Sequence, residues 1–74
     1  MMVRPKWKKS EAAIRGNELF INKYDNDYRV VLFRLYPSKQ FKFQSYKGHL
    51  VKEAKTFNNK SLALSFAKKY MRKH

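Results

Sequence analysis

An α+β fold, in which a three- or four-stranded antiparallel sheet packs on a C-terminal helix, follows from three features of this sequence. The turn formers in "YDND" and "YPSK" divide the middle of the chain into three apolar runs of strand length. Near the end of the chain, Ala63, Phe66, Ala67 and Tyr70 recur at helical spacing. One Trp, five Tyr and six Phe supply a small core to a chain whose charge alone would suggest disorder. At 74 residues there is room for one domain and not two. The expected organisation is a basic flexible arm over residues 1–9 and a single small domain over residues 10–74.

The elements follow in chain order. "MMVRPKWKK" has no periodicity and reads as the arm. "SEAAIRG" reads as a short N-terminal helix, with Ser10 as cap, Glu11 in the first turn and Gly16 at the end. "NELFINKYDNDYRVVLFRLY" is strand, turn, strand. "YPSK" is a second turn, with Pro37 preset for its first central position. "KQFKFQSY" is the third strand. Beyond "KGH", where His49 reads as a turn residue beside Gly48, "LVKEAKTF" is either a fourth, shorter strand or an extended connection. "FNNKSLALSFAKKYMRKH" is the C-terminal helix. Asn58 is its expected N-cap, Phe57 and Leu62 have hydrophobic-staple spacing, and Leu62 widens the apolar stripe.

Turn positions predict registers. If "YPSK" closes a hairpin with Leu35 opposite Gln40, then Arg34 faces Phe41, Leu32 faces Phe43 and Val30 faces Ser45. If "YDND" pairs Lys23 with Tyr28, then Ile21 meets Val30 and Leu19 meets Leu32. One face then collects Leu19, Ile21, Val30, Leu32, Phe41 and Phe43, and the C-terminal helix covers it. The other collects Glu18, Phe20, Asn22, Arg29, Val31, Phe33, Leu35, Gln40, Lys42, Gln44 and Tyr46. A slip of one residue in either hairpin exchanges the faces.

Eighteen Lys and Arg against five Asp and Glu give a net charge of +13. Solubility needs only about 2–8 in magnitude, and the excess repels itself unless a polyanion offsets it. The charge concentrates at the two ends, and from residue 60 onward no acid occurs. Nucleic acid is the expected partner, through Arg4, Lys6, Trp7, Lys8 and Lys9 of the arm, Arg29, Lys42, Gln44 and Tyr46 of the mixed face, and Lys68, Lys69, Arg72 and Lys73 of the helix end. The cations suit phosphates or guanine edges, the amides of Gln40 and Gln44 suit adenine, and Phe20, Phe33, Tyr46 or Trp7 can stack on exposed bases as on a single-strand platform. The competing reading has the N-terminal segment cover the mixed face, with Trp7, Ala12, Ala13 and Ile14 packed on Phe20, Val31 and Phe33. The cations of the helix end also complement its macrodipole.

Other chemistries lack their residues. There is no Cys, hence no disulfide and no thiolate zinc site, and the two His have no partner at zinc spacing. The two Gly make no phosphate loop, the carboxylates are scattered, and no Ser has a base at useful spacing. The expectation is a protein that is not an enzyme, with no cofactor, metal or small-molecule substrate. No apolar run nears the roughly 18 residues of a membrane span, and no hydrophobic region follows the basic N-terminus. No membrane partner and a cytoplasmic location are therefore expected, and the absence of Cys suits a reducing compartment.

Strands followed by a helix, with "YRVVLFRL" and then "AKTFNNKSLALSFAKKY", resemble the AP2-type domain and the related arm-binding domain of phage and transposon integrases. In that family a phenylalanine closes the last strand and alanines recur along the helix, as Phe57, Ala63 and Ala67 do here. The resemblance covers residues 18–73; the glycine usual before the closing phenylalanine is absent, and "KGHLVKEAKTF" is longer than the family's connection. It implies double-stranded DNA as the partner, in preference to RNA, with Arg29, Lys42 and Gln44 on a sheet face entering the major groove. "SEAAIRG", three strands and "NKSLALSFAKKYM" are also similar in order to the double-stranded RNA-binding domain, although its basic run is reduced here to Lys60. Small, basic, cysteine-free chains are common too among phage products that disable host proteins. That analogy of class gives the alternative expectation, a phage-type inhibitor or adaptor on an acidic host protein surface.

Overall fold

The "YPSK" hairpin forms in the expected register. In the computed structural model, which describes residues 6–11 and 16–74, strands β3 (Tyr28–Arg34) and β4 (Phe41–Lys47) pair Arg34 with Phe41, Leu32 with Phe43 and Val30 with Ser45. Ser38 organises the turn. Its Oγ donates to the Leu35 carbonyl at 2.7 Å and accepts from the Gln40 amide at 3.2 Å, while Arg34 Nε donates to the Ser38 carbonyl at 3.0 Å.

A two-residue connection, Gly48–His49, leads into β5 (Leu50–Phe57). Gly48 has φ +61, which suits the first central position of a tight hairpin turn and strains any residue with a Cβ. "LVKEAKTF" is thus a full strand, and longer than β4 rather than shorter. Its ladder carries a bulge: Ser45 pairs with Glu53 but Tyr46 with Val51, leaving Lys52 as the extra residue.

The first hairpin differs from expectation by one residue. Strand β2 (Glu18–Asn22) pairs Leu19 with Val31, Phe20 with Val30 and Ile21 with Arg29. Asn22 is the cause. Its Oδ1 accepts from the amides of Tyr24 at 2.9 Å and Asp25 at 3.2 Å, so the turn starts there and not at Lys23. The Lys23 amide instead donates to the Lys6 carbonyl at 2.7 Å. Phe20 and Glu18 consequently face the helix, and Leu19 and Ile21 face the other side.

That Lys6 contact belongs to a further strand, β1 (Trp7–Lys9), which pairs Trp7 with Asn22, Lys8 with Ile21 and Lys9 with Phe20. The sheet is therefore a five-stranded antiparallel meander, β1-β2-β3-β4-β5, where three or four strands were expected. It begins inside the stretch expected to be a flexible arm. The short helix expected over "SEAAIRG" falls largely on residues 12–15, outside the described residues; Glu11 and Gly16 are turn residues.

Helix α1 (Lys60–Lys73) lies on one face of the sheet. Ala63, Ala67 and Tyr70 are buried against Val30, Leu32 and Phe43. The alanines admit close approach, and the Phe43 ring meets Phe66 at 4.9 Å and Tyr70 at 5.2 Å, both edge-on. Trp7, Phe20, Phe41 and Phe57 pack around this centre. Glu18 ties three elements together on the same side, accepting from Lys9 at 3.1 Å and lying 3.6 Å from Lys60.

The N-cap is Asn59, one residue later than expected. Its Oδ1 accepts from the Leu62 amide at 2.9 Å. Leu62 then sits in the first turn and is 50% exposed, so it leaves the apolar stripe, and Phe57 packs on Phe66 with ring centroids 5.2 Å apart. Asn59→Ala is expected to cost about 1 kcal/mol of stability, and Asn58→Ala only a few tenths; a urea titration of both variants checks the assignment.

Candidate nucleic-acid interface

Cross-strand pairing fixes which side chains share the face opposite α1. Three rows cross the sheet: Lys8, Ile21, Arg29, Tyr46 and Val51; then Leu19, Val31, Gln44 and Ala54; then Phe33, Lys42 and Thr56. Strands about 4.8 Å apart make this face roughly 19 Å wide. None of its residues is fully buried. Lys8 and Arg29 are exposed, Lys42, Gln44 and Tyr46 half-buried, and the aliphatic centre of Leu19, Ile21 and Val31 is half-buried as well.

The face carries no carboxylate among the described residues. Pairing places Glu18 and Glu53 on the helix side, opposite Leu32 and Ser45. Asp25 and Asp27 lie in the β2–β3 turn, and Glu11 in the turn after β1. Among the described residues, three cations thus flank an apolar and aromatic centre, and the nearest acid is Glu11, beside Lys8 at the β1 corner.

Two hydrogen bonds position polar groups here. Tyr46 Oη donates to Gln44 Oε1 at 2.6 Å, which orients the carboxamide and leaves its NH2 group as a donor. Arg29 Nη2 donates to the Gly48 carbonyl at 3.5 Å, holding the guanidinium toward the β4–β5 turn. At the β1 corner, Lys8, Ile21, Lys23 and Asn26 line, together with Glu11, an open cleft of about 470 Å³.

The residues expected to contact nucleic acid separate into groups. Lys8, Arg29, Lys42, Gln44 and Tyr46 come together on this face. Lys6 is exposed just before β1. Lys9 points to the helix side, on Glu18. Trp7 packs on the core with its Nε1 enclosed and without a partner among the described residues, so its ring is no platform for a base. Arg4 lies outside the described residues. Lys68, Lys69, Arg72 and Lys73 are exposed on α1, in the other layer.

Leu19, Ile21, Val51, Ala54 and Thr56 are additions to the face that sequence reasoning missed. The available signals were Asn22, whose side chain starts a turn earlier than "YDND", and the short "GH" connection. No protein-family model matches the chain, and neither a curated protein nor a solved structure matches it. Among the described residues no helix is long and apolar enough to cross a membrane.

Proposed function

We propose that the protein binds nucleic acid on the sheet face opposite α1, and that the ligand there is a single strand. The observation that carries this reading is the sheet face on which Lys8, Arg29 and Lys42 join Phe33 and Tyr46, with no carboxylate in its rows among the described residues. The cations pair with phosphates, the two rings stack on unpaired bases, and the Gln44 amide donates to base edges.

A duplex fits the face less well. The major groove is about 12 Å wide and admits a helix or a two-stranded ribbon, whereas this surface is roughly 19 Å across. Its centre is aliphatic, and Leu19, Ile21 and Val31 offer nothing to the polar base edges they would desolvate. Unpaired bases present apolar faces to the same surface.

The aliphatic centre supports a second reading, a protein interface with an acidic partner, in which Val31 and Phe33 are the buried anchors and Arg29 and Lys42 the charged rim. Salt titration separates the two. Binding to single-stranded DNA should weaken with a log–log slope of about −2 if three cations each neutralise one phosphate. Duplex DNA and duplex RNA should bind more weakly than the single strand at equal salt. Absence of binding to all three at low salt rejects the nucleic-acid reading and leaves the acidic protein partner.

A further inference from the structure

A second basic surface lies in the opposite layer from the sheet face. Lys68, Lys69, Arg72 and Lys73 are exposed along the last turns of α1. Because Ala63, Ala67 and Tyr70 are buried against the sheet, the 100° step of the helix turns Lys68 and Arg72 away from it. No acid follows Glu53 in the sequence, and among the described residues none of the four cations is in an ion pair. The helix macrodipole accounts for Arg72 and Lys73, but its influence fades beyond the last turn. Lys68 and Lys69 add to a +4 surface that this effect does not explain.

The two basic surfaces face opposite ways across a molecule whose smallest dimension is 22 Å. A short strand lying on the sheet face cannot touch α1, because the sheet itself stands between. We infer that the protein bridges two nucleic-acid segments, one strand lying on the sheet face and the phosphates of a second segment lying along α1. The inference rests on the single-strand reading of the sheet face. The α1 site is sequence-independent, since its four cations recognise a phosphate backbone and the one exposed ring beside them among the described residues, His74, is stacked on Tyr70 at 4.3 Å. Bridging also gives the +13 charge two polyanions to offset it.

The test uses two readouts on the full chain. Fluorescence anisotropy with a labelled oligothymidylate of about eight nucleotides, short enough to occupy one face, measures the sheet site. Capture of that labelled strand on beads carrying a second oligothymidylate measures bridging. The wild-type chain should do both. K68Q/K69Q/R72Q should lose capture by about tenfold or more and keep its anisotropy affinity within about twofold, since the surfaces are independent. R29A/K42A should weaken the anisotropy affinity roughly 30-fold near physiological salt. If the wild-type chain binds the oligonucleotide but captures no second strand, or if K68Q/K69Q/R72Q captures as well as wild type, the bridging inference is overturned and the sheet-face reading stands. If the wild-type chain binds no oligonucleotide, both fall.

Discussion

Phe43→Ala should remove most of the stability of the fold. Phe43 is fully buried at the centre of the sheet and makes edge contacts with both Phe66 and Tyr70 of α1. Truncating a buried Phe costs about 3–5 kcal/mol, against a total of roughly 4–11 kcal/mol for a chain of this length. Urea denaturation followed by the fluorescence of Trp7, which packs on the same core, measures the loss. The β2 register supplies the internal comparison. Phe20→Ala should cost about 2 kcal/mol or more, because Phe20 faces the helix opposite Val30. Ile21→Ala, on the outer face, should cost less than about 1 kcal/mol. The reverse order would restore the register in which Ile21 opposes Val30.

That comparison also shows where sequence patterning loses its grip. "FKFQ" alternates apolar and polar, so only one register of β4 buries Phe41 and Phe43, and the predicted pairing with β3 forms. "LFI" in β2 does not alternate. Either register buries apolar side chains, and the decision passes to Asn22, whose local hydrogen bonds start the turn. The helix stripe was legible because Ala63, Ala67 and Tyr70 repeat at the helical period. Its cap was not, since Asn58 and Asn59 have the same chemistry. Strand β1 is three residues long, too short to show a period, and exists because β2 offers it an edge. Strand β5 is exposed on both faces along most of its length, so burial imposed no alternation on it.

The candidate site divides along the same line. Arg29, Lys42, Gln44 and Tyr46 were placed on one face because the β3–β4 register was readable. The arm and helix-end cations were grouped with them by charge alone, and charge carries no information about layers. Lys9 turns to Glu18 and Trp7 to the core for the simple reason that β1 is a strand, whose alternate residues face opposite ways. Only Lys8 of that strand joins the sheet face.

Arg29→Ala with Lys42→Ala is the substitution that should most affect binding. Each partly screened contact with a phosphate contributes about 1 kcal/mol, so the pair should weaken single-strand affinity roughly 30-fold near physiological salt. Its salt slope should fall by about 1.4, since each released counterion contributes about 0.7. Neither side chain belongs to the buried core, so the denaturation midpoint should stay close to wild type. Lys39 is the control: it is exposed in the β3–β4 turn, beyond the end of the face, and carries the same charge. Lys39→Ala should change affinity by less than about twofold. Position and charge make different predictions here. If binding depends only on the total of +13, every Lys→Ala variant weakens it equally, and Lys39 matters as much as Lys42. If the sheet face is the site, the loss concentrates at Arg29 and Lys42, and a titration of Arg29→Ala, Lys42→Ala and Lys39→Ala, each alone, against one oligonucleotide shows which holds.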